Sequence, residues 1–148
     1  MRSLALFMGA LGVSINTSDA FHRMTPERLG LWRFLEPVAE RATGLLPYWG
    51  HETGLHTVVR RYPQTGGWAV FVLNPTNDRQ FERLALRDLI GQESAYAFSW
   101  GPEGSSPLGK LGEIRVDLPT HGSLLVYLSP TDTPPPADMT LGGAKFRR

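Results

Sequence analysis

A small polar cluster follows an apolar run near the start of this 148-residue chain. The run "LALFMGALGV" ends at Ser14, Asn16 and Asp19, which are side chains of the kind that line polar sites. Two interpretations are open at this point. The cluster is either one rim of a site, or the end of a signal peptide that is cut after Ala20.

Hydrolysis of a glycosidic bond normally needs two carboxyl groups that flank one cleft. Asp19 is the only acid at the end of the apolar run, and no partner lies near it in the sequence. The other acids considered fall in the strand-rich part of the chain and show no pairing at a cleft: Glu52, Glu82, Asp88, Glu93, Glu103, Glu113 and Asp117. We therefore predict no catalytic residue in this chain.

Metal and cofactor chemistry have no matching motif. The chain has four histidines without the i, i+4 spacing of a zinc protease, and it has no cysteine. His121 has no accompanying G-x-S-x-G nucleophile, so it is predicted to be a turn residue. Gly9 and Gly12 lack the first glycine of a dinucleotide-binding fingerprint. No metal and no cofactor are predicted.

The composition is that of a globular protein, with 41% apolar and 20% charged residues. A net charge of +1 gives no reason to expect a nucleic-acid partner or an anionic membrane, and the basic pair Arg60-Arg61 is predicted to be solvated. No apolar run approaches the roughly 18 residues of a membrane span. The compartment stays open, with cytoplasm favoured unless residues 1–20 are a signal peptide.

The apolar run also fits a buried strand, over Leu4 to Ile15. After the polar loop, Thr25 can cap a helix that begins at Pro26, and Leu31, Phe34, Leu35 and Val38 recur at helical spacing. Pro37 should end or kink this helix near Glu36. A strand, a loop and a capped helix make one βα unit.

Strand-like segments follow the linker "LLPYWGHETG", without a helical segment between them. Neighbouring strands should therefore be antiparallel, and their number and spacing predict a Greek-key β-sandwich. The predicted strands are Leu55 to Tyr62, Trp68 to Leu73, Phe81 to Leu89, Ser94 to Trp100, Glu113 to Leu118 and Ser123 to Leu128. The predicted core contains Val70, Val72, Leu84, Leu86, Phe98, Val116, Leu124 and Val126.

Aromatic side chains on these strands allow a second interpretation. Trp68, Tyr96 and Trp100 could form a flat platform on which a sugar ring stacks, although aromatic residues also favour strands for packing alone. Solvent-facing rings in a row would indicate a carbohydrate-binding module, and buried rings would indicate core. Beyond residue 130, "TDTPPPADMTLGGAKFRR" has few large apolar residues and is predicted to be a disordered tail.

Several short motifs together resemble the C-terminal region of melibiase-type α-galactosidases, which belong to glycoside hydrolase clan D. The motifs are Gly9-Ala10-Leu11-Gly12, Thr25-Pro26-Glu27, "FVLNPTNDRQFERLALRDLIGQESAYAFSW" and "VDLPTHGSLLVYLS". They occur in the family's order between about residues 4 and 129. This chain has Ser14 and Asn16 where family members often carry acidic residues, so contacts of those carboxylates are not transferred.

The resemblance implies a mainly β fold, in which an antiparallel Greek-key sandwich follows the last βα unit of a (β/α)8 barrel. Residues 1–44 would be that unit, 45–54 a linker, 55–129 the sandwich and 130–148 the tail. The catalytic carboxylates and the carbohydrate substrate would belong to a barrel upstream of this chain, and Ser14, Asn16 and Asp19 would be rim residues. Without that barrel, an apolar patch around Phe7, Leu11, Leu31 and Phe34 is expected to allow self-association.

Overall fold

The computed structural model describes residues 2–11, 21–35, 43–45 and 54–143. They form three layers: a helical layer, a six-stranded sheet, and a two-stranded sheet with a short helix. All strand pairs are antiparallel, so the prediction of a mainly β, antiparallel sandwich is confirmed. No helix in these ranges has the length and apolar character needed to cross a membrane.

The six-stranded sheet forms the centre of the molecule, in the strand order β1-β2-β3-β8-β5-β6. Strand β3 lies between β2 and β8, and its apolar residues alternate between the two faces of the sheet. Both faces are covered, which explains why β3 is apolar throughout. The strands are β1 (Thr43–Leu45), β2 (His56–Tyr62), β3 (Gly67–Leu73), β5 (Ala95–Gly101), β6 (Gly104–Leu111) and β8 (Ser123–Ser129).

The second sheet pairs β4 (Gln80–Ala85) with β7 (Glu113–Leu118). Together with helix α3 (Leu86–Ile90) it encloses one of the two hydrophobic clusters against the central sheet. Seven of the eight predicted core residues are buried, and Leu124 is half-buried. The polypeptide crosses between the two sheets four times, through the β3–β4, β4–β5, β6–β7 and β7–β8 connections.

Asn74 fixes the connection between β3 and β4. It is fully buried, and its side-chain nitrogen donates to the backbone carbonyls of Asp78, Leu118 and Pro119 at 2.8, 3.2 and 2.9 Å. Its side-chain oxygen accepts from the backbone N–H of Thr76 at 3.0 Å. One side chain therefore joins this turn to the end of β7.

The helical layer consists of α1 (Arg2–Leu11) and α2 (Pro26–Leu35) on the other face of the central sheet. The strand predicted from Leu4 to Ile15 is wrong over residues 4–11, which are helical. A continuously apolar run does not distinguish a buried strand from a buried helix by its period. The prediction for α2 is confirmed: the Thr25 hydroxyl accepts from the Arg28 N–H at 3.4 Å, Pro26 opens the helix, and the described helix ends one residue before Glu36.

The exposed apolar patch expected on the first two elements is not formed. Phe7 and Phe34 are buried between the helices and the sheet, and Leu11 and Leu31 are half-buried against the same cluster. Gly9 permits this packing, because a β-carbon there would lie 2.5 Å from Leu35 Cδ2. The stated basis for self-association is therefore wrong.

The C-terminal segment belongs to the core up to residue 143. Met139 and Leu141 are buried in the cluster beneath the helices, and the Leu141 N–H donates to the Phe34 carbonyl at 2.7 Å. The predicted disordered tail is therefore wrong for residues 130–143. Two large apolar side chains are enough here because the sheet and α2 supply the surrounding surface.

Three further predictions about strands need correction. Residues 86–90 form α3 instead of continuing β4, and Gly91 ends that helix in the left-handed conformation, with φ 71°. Strand β6 was not predicted, because it is almost wholly exposed and contains Pro107. Strand β1 spans the predicted boundary at residues 44 and 45; most of the predicted linker lies outside the described residues.

Candidate functional site

The predicted rim residues Ser14, Asn16 and Asp19 lie outside the described residues. Their described neighbours are the last residues of α1, which ends at Leu11 against the central sheet. The rim assignment stays a prediction. His121, predicted to be a turn residue, is exposed at the β7–β8 turn with φ 56°.

The three rings proposed as a sugar platform do not come together. Tyr96 and Trp100 lie on the face of the central sheet that carries the helices, whereas Trp68 packs against the cluster on the opposite face. The Lys110 ammonium lies 5.7 Å from the centre of the Tyr96 ring, so it occupies one side of that ring. A single flat platform of all three residues is therefore absent.

Trp100 is the centre of a buried aromatic cluster. Its ring meets those of Phe34, Tyr62 and Tyr127 edge to face, with centroids 5.1, 5.9 and 5.4 Å away. Only 8% of Trp100 is exposed. Such contacts stabilise a core and leave little ring face for a ligand.

A groove of about 790 Å³ opens beside this cluster. Phe34, Trp100 and Met139 contribute apolar surface, and Arg33 and Glu103 are among its charged residues. Arg2 holds Glu103 in a bidentate ion pair, at 2.9 and 3.0 Å. The groove combines a small apolar surface with an already neutralised carboxylate, which does not resemble a pair of hydrolytic acids.

Arg60 joins the helical layer, the sheet and the C-terminal segment. It is 1% exposed, because it shares the inward face of β2 with Val58 and Tyr62. One terminal nitrogen donates to the Gly9 and Ala10 carbonyls at 3.3 and 3.2 Å, and the other donates to the Gly142 carbonyl at 3.0 Å. The last carbonyls of a helix carry partial negative charge, so a cation is favourable there.

Burial lowers the pKa of Arg60 and raises the pKa of Tyr62. The Tyr62 hydroxyl donates to the Leu141 carbonyl at 2.7 Å, one residue before the carbonyl that Arg60 binds. These contacts hold the C-terminal segment in place. The prediction that the pair Arg60-Arg61 is solvated is therefore wrong for Arg60, although Arg61 is exposed.

This buried arginine was the main polar feature that sequence reasoning missed. Consecutive strand residues point to opposite faces, so one of two adjacent arginines in a covered strand must point inward. That alternation was the available signal. It does not reveal the acceptors, because Gly9 and Gly142 are far from Arg60 in the sequence.

The described carboxylates are engaged at the surface instead of being paired in a cleft. Arg79 donates twice to Asp117, at 2.7 and 2.8 Å, and thereby lowers the pKa of that carboxyl. A general acid needs the opposite shift. Among residues 2–11, 21–35, 43–45 and 54–143, no group of three or more potential metal ligands is found.

The sequence matches no family model and no curated protein. The structure is similar to three solved enzymes. These are a GH27 β-L-arabinopyranosidase from Geobacillus stearothermophilus (TM-score 0.73, 17% identity), a putative α-N-acetylgalactosaminidase from Bacillus halodurans (0.73, 15%) and α-galactosidase I from Mortierella vinacea (0.64, 15%).

These matches cover 88%, 87% and 89% of this chain, but only 30%, 30% and 36% of the respective enzymes. The chain thus spans about a third of their length. At these identities the likeness establishes the fold, and it confirms at that level the resemblance found in the sequence. This chain therefore has the fold of part of a GH27-type glycoside hydrolase.

Proposed function

We propose that this chain is the C-terminal, non-catalytic part of a glycoside hydrolase of the α-galactosidase type. In this proposal the sandwich packs beside a catalytic barrel, which carries the acid–base pair and binds the carbohydrate substrate. The sandwich covers apolar surface of that barrel and stabilises it. Ser14, Asn16 and Asp19 then stand at the edge of the barrel's site, as rim residues.

The observation that carries the proposal is the unequal coverage of the structural matches. Almost nine-tenths of this chain matches the Geobacillus enzyme, and 70% of that enzyme has no counterpart here. Strands β2 to β8 make up half of the chain, so the match also includes most of what lies outside them. The helices and the sandwich are thus preserved together.

The alternative function, a carbohydrate-binding module, receives less support. It needs a row of solvent-facing rings, whereas Trp100 is buried and Trp68 lies on the far side of the sheet from Tyr96. The proposed signal peptide also includes α1, whose Leu6, Phe7 and Ala10 contribute to the core. The structural role agrees better with both observations.

A chimera tests the proposal. Residues 1–148 replace the matching 30% of the Geobacillus enzyme, and the product is assayed with aryl β-L-arabinopyranosides and aryl α-galactosides. The control is the same enzyme cut at the junction without a replacement. We expect activity from the chimera, and none from the truncated control or from this chain alone. A soluble chimera without activity, or turnover by this chain alone, would overturn the proposal.

A further inference from the structure

Helix α1 is apolar on all sides. After Arg2 and Ser3, its residues are Leu4 to Leu11 without a charged or polar side chain. A surface helix normally carries polar residues on its outer side, and a helix that is apolar all round is normally buried. One side of α1 is buried against the sheet, so its other side requires an explanation.

The outward side of α1 presents a stripe of large apolar residues. Leu4, Met8 and Leu11 follow the i, i+4, i+7 spacing of one helix face. Leu4 is 61% exposed and Met8 is 37% exposed, whereas Leu11 is half-buried at the margin of the core. We call these three residues the outer stripe.

The opposite surface of the molecule is suited to water. On the two-stranded sheet, the exposed face carries Arg83, Arg115 and Asp117, which alternate with buried residues. Phe81 is 65% exposed there, but the Arg79 guanidinium lies 5.3 Å from its ring centre and covers one side. The edge strand β6 carries Pro107 and Lys110, which discourage pairing with another chain.

We infer that the outer stripe of α1 is the apolar centre of the surface that docks onto the catalytic barrel. This inference rests on the proposed function and specifies which side of the chain meets the barrel. The occupant follows from the comparison: the structural match includes most of the chain outside the strands, and the matched enzymes contain a further 64–70% of chain. The charged outer face of β4 and β7 then faces solvent.

The test introduces charges into the active chimera described above. Leu4→Glu with Met8→Glu changes the outer stripe, and Leu4→Gln with Met8→Gln is the milder variant. Phe81→Glu is the matched control, an exposed large apolar residue on the other side. Each change is also made in the isolated chain, where melting temperatures should stay within about 2 °C because these side chains are exposed.

We expect the glutamate pair to reduce the yield of active chimera about tenfold or more, because it places two charges in a dry interface. The glutamine pair should have a smaller effect, and Phe81→Glu should have none. An active chimera that tolerates the glutamate pair would overturn this inference and leave the proposed function intact. An inactive parent chimera would instead overturn the proposed function.

A second copy of this chain is the rival occupant. Size-exclusion chromatography with light scattering of the isolated chain distinguishes it. A stable dimer that the glutamate pair dissociates, while Phe81→Glu leaves it intact, would assign the outer stripe to self-association and overturn the inference. A monomer, or a dimer that survives the glutamate pair, supports it.

Discussion

Replacing Arg60 by methionine should unfasten the helical layer and the C-terminal segment from the sheet. Methionine can fill much of the same space, but it donates no hydrogen bond. The carbonyls of Gly9, Ala10 and Gly142 would then lose a charged donor in a buried site. Backbone carbonyls cannot be removed by further substitution, so an apolar residue cannot make this site self-consistent.

The magnitude follows from two opposing effects. A hydrogen bond from a charged donor contributes about 1.5–3 kcal/mol, and breaking a buried charged arrangement costs about 3–5 kcal/mol. Methionine also relieves the cost of burying a guanidinium, which has no carboxylate partner among the described residues. We expect a net loss of about 2–4 kcal/mol, which corresponds to a fall in melting temperature of about 5–15 °C for a chain of this size.

The assay is denaturant unfolding of Arg60→Met beside Arg61→Met. Arg61 is the next residue on the same strand and is exposed, so its replacement should change stability by no more than about 0.5 kcal/mol. Hydrogen exchange should also quicken in α1 and in residues 139–143 before it does in β4 and β7. Equal stability of the two variants, or unchanged exchange in α1, would refute this reasoning.

Four further predictions concern the core, the pH dependence and the chemistry. Gly9→Ala should destabilise the protein because its new methyl group would meet Leu35, whereas Gly30→Ala, which meets no atom within 4 Å, should be neutral or stabilise by up to about 1 kcal/mol; thermal melts compare the two, and equal effects would contradict the packing described for α1. Leu86→Ala should cost about 2–5 kcal/mol in denaturant unfolding, because Leu86 is 0% exposed, and a cost near zero would remove it from the core. Burial raises the pKa of Tyr62, so the folded state keeps a proton that the unfolded state releases above the ordinary value of 10.0; stability should therefore fall as pH rises above that value, less steeply in Tyr62→Phe, and equal slopes would argue against this burial. The isolated chain should not hydrolyse aryl α- or β-glycosides, and turnover that disappears in Asp19→Asn would contradict this.

The strands were predictable because their chemistry is local. In β3, β7 and β8 the apolar residues recur with the period of a covered strand, and the turn-forming residues between them mark the boundaries. In α2, the threonine cap and the proline at the first position mark the start. These signals require no knowledge of the partner element.

The errors arise where the outcome depends on distant residues. The apolar run of α1 suits a buried strand or a buried helix, and its packing on β2 and β3 decides between them. The C-terminal segment has a disordered composition, yet Arg60 and Tyr62 hold it through backbone carbonyls. Strand β6 has no buried face and therefore no alternating pattern to detect.

The candidate site was less predictable than the fold. The sequence correctly placed His121 in a turn, but it brought Trp68, Tyr96 and Trp100 together on a platform that two sheet faces separate. Alternation predicts faces within a strand, but the position of Trp68 relative to Tyr96 depends on register across β3, β8 and β5. Register between strands that are distant in sequence is set by packing, which no single segment encodes.

The central claim is that this chain serves a catalytic barrel and performs no hydrolysis itself. The most direct measurement is immunoprecipitation from the source organism with an antibody against residues 56–129, followed by mass spectrometry and a glycosidase assay of the precipitate. The account predicts that these residues are recovered joined to, or tightly bound by, a (β/α)8 barrel, with α-galactosidase-type activity. Recovery of only a free 16.4 kDa polypeptide, in a precipitate without glycosidase activity, would contradict it.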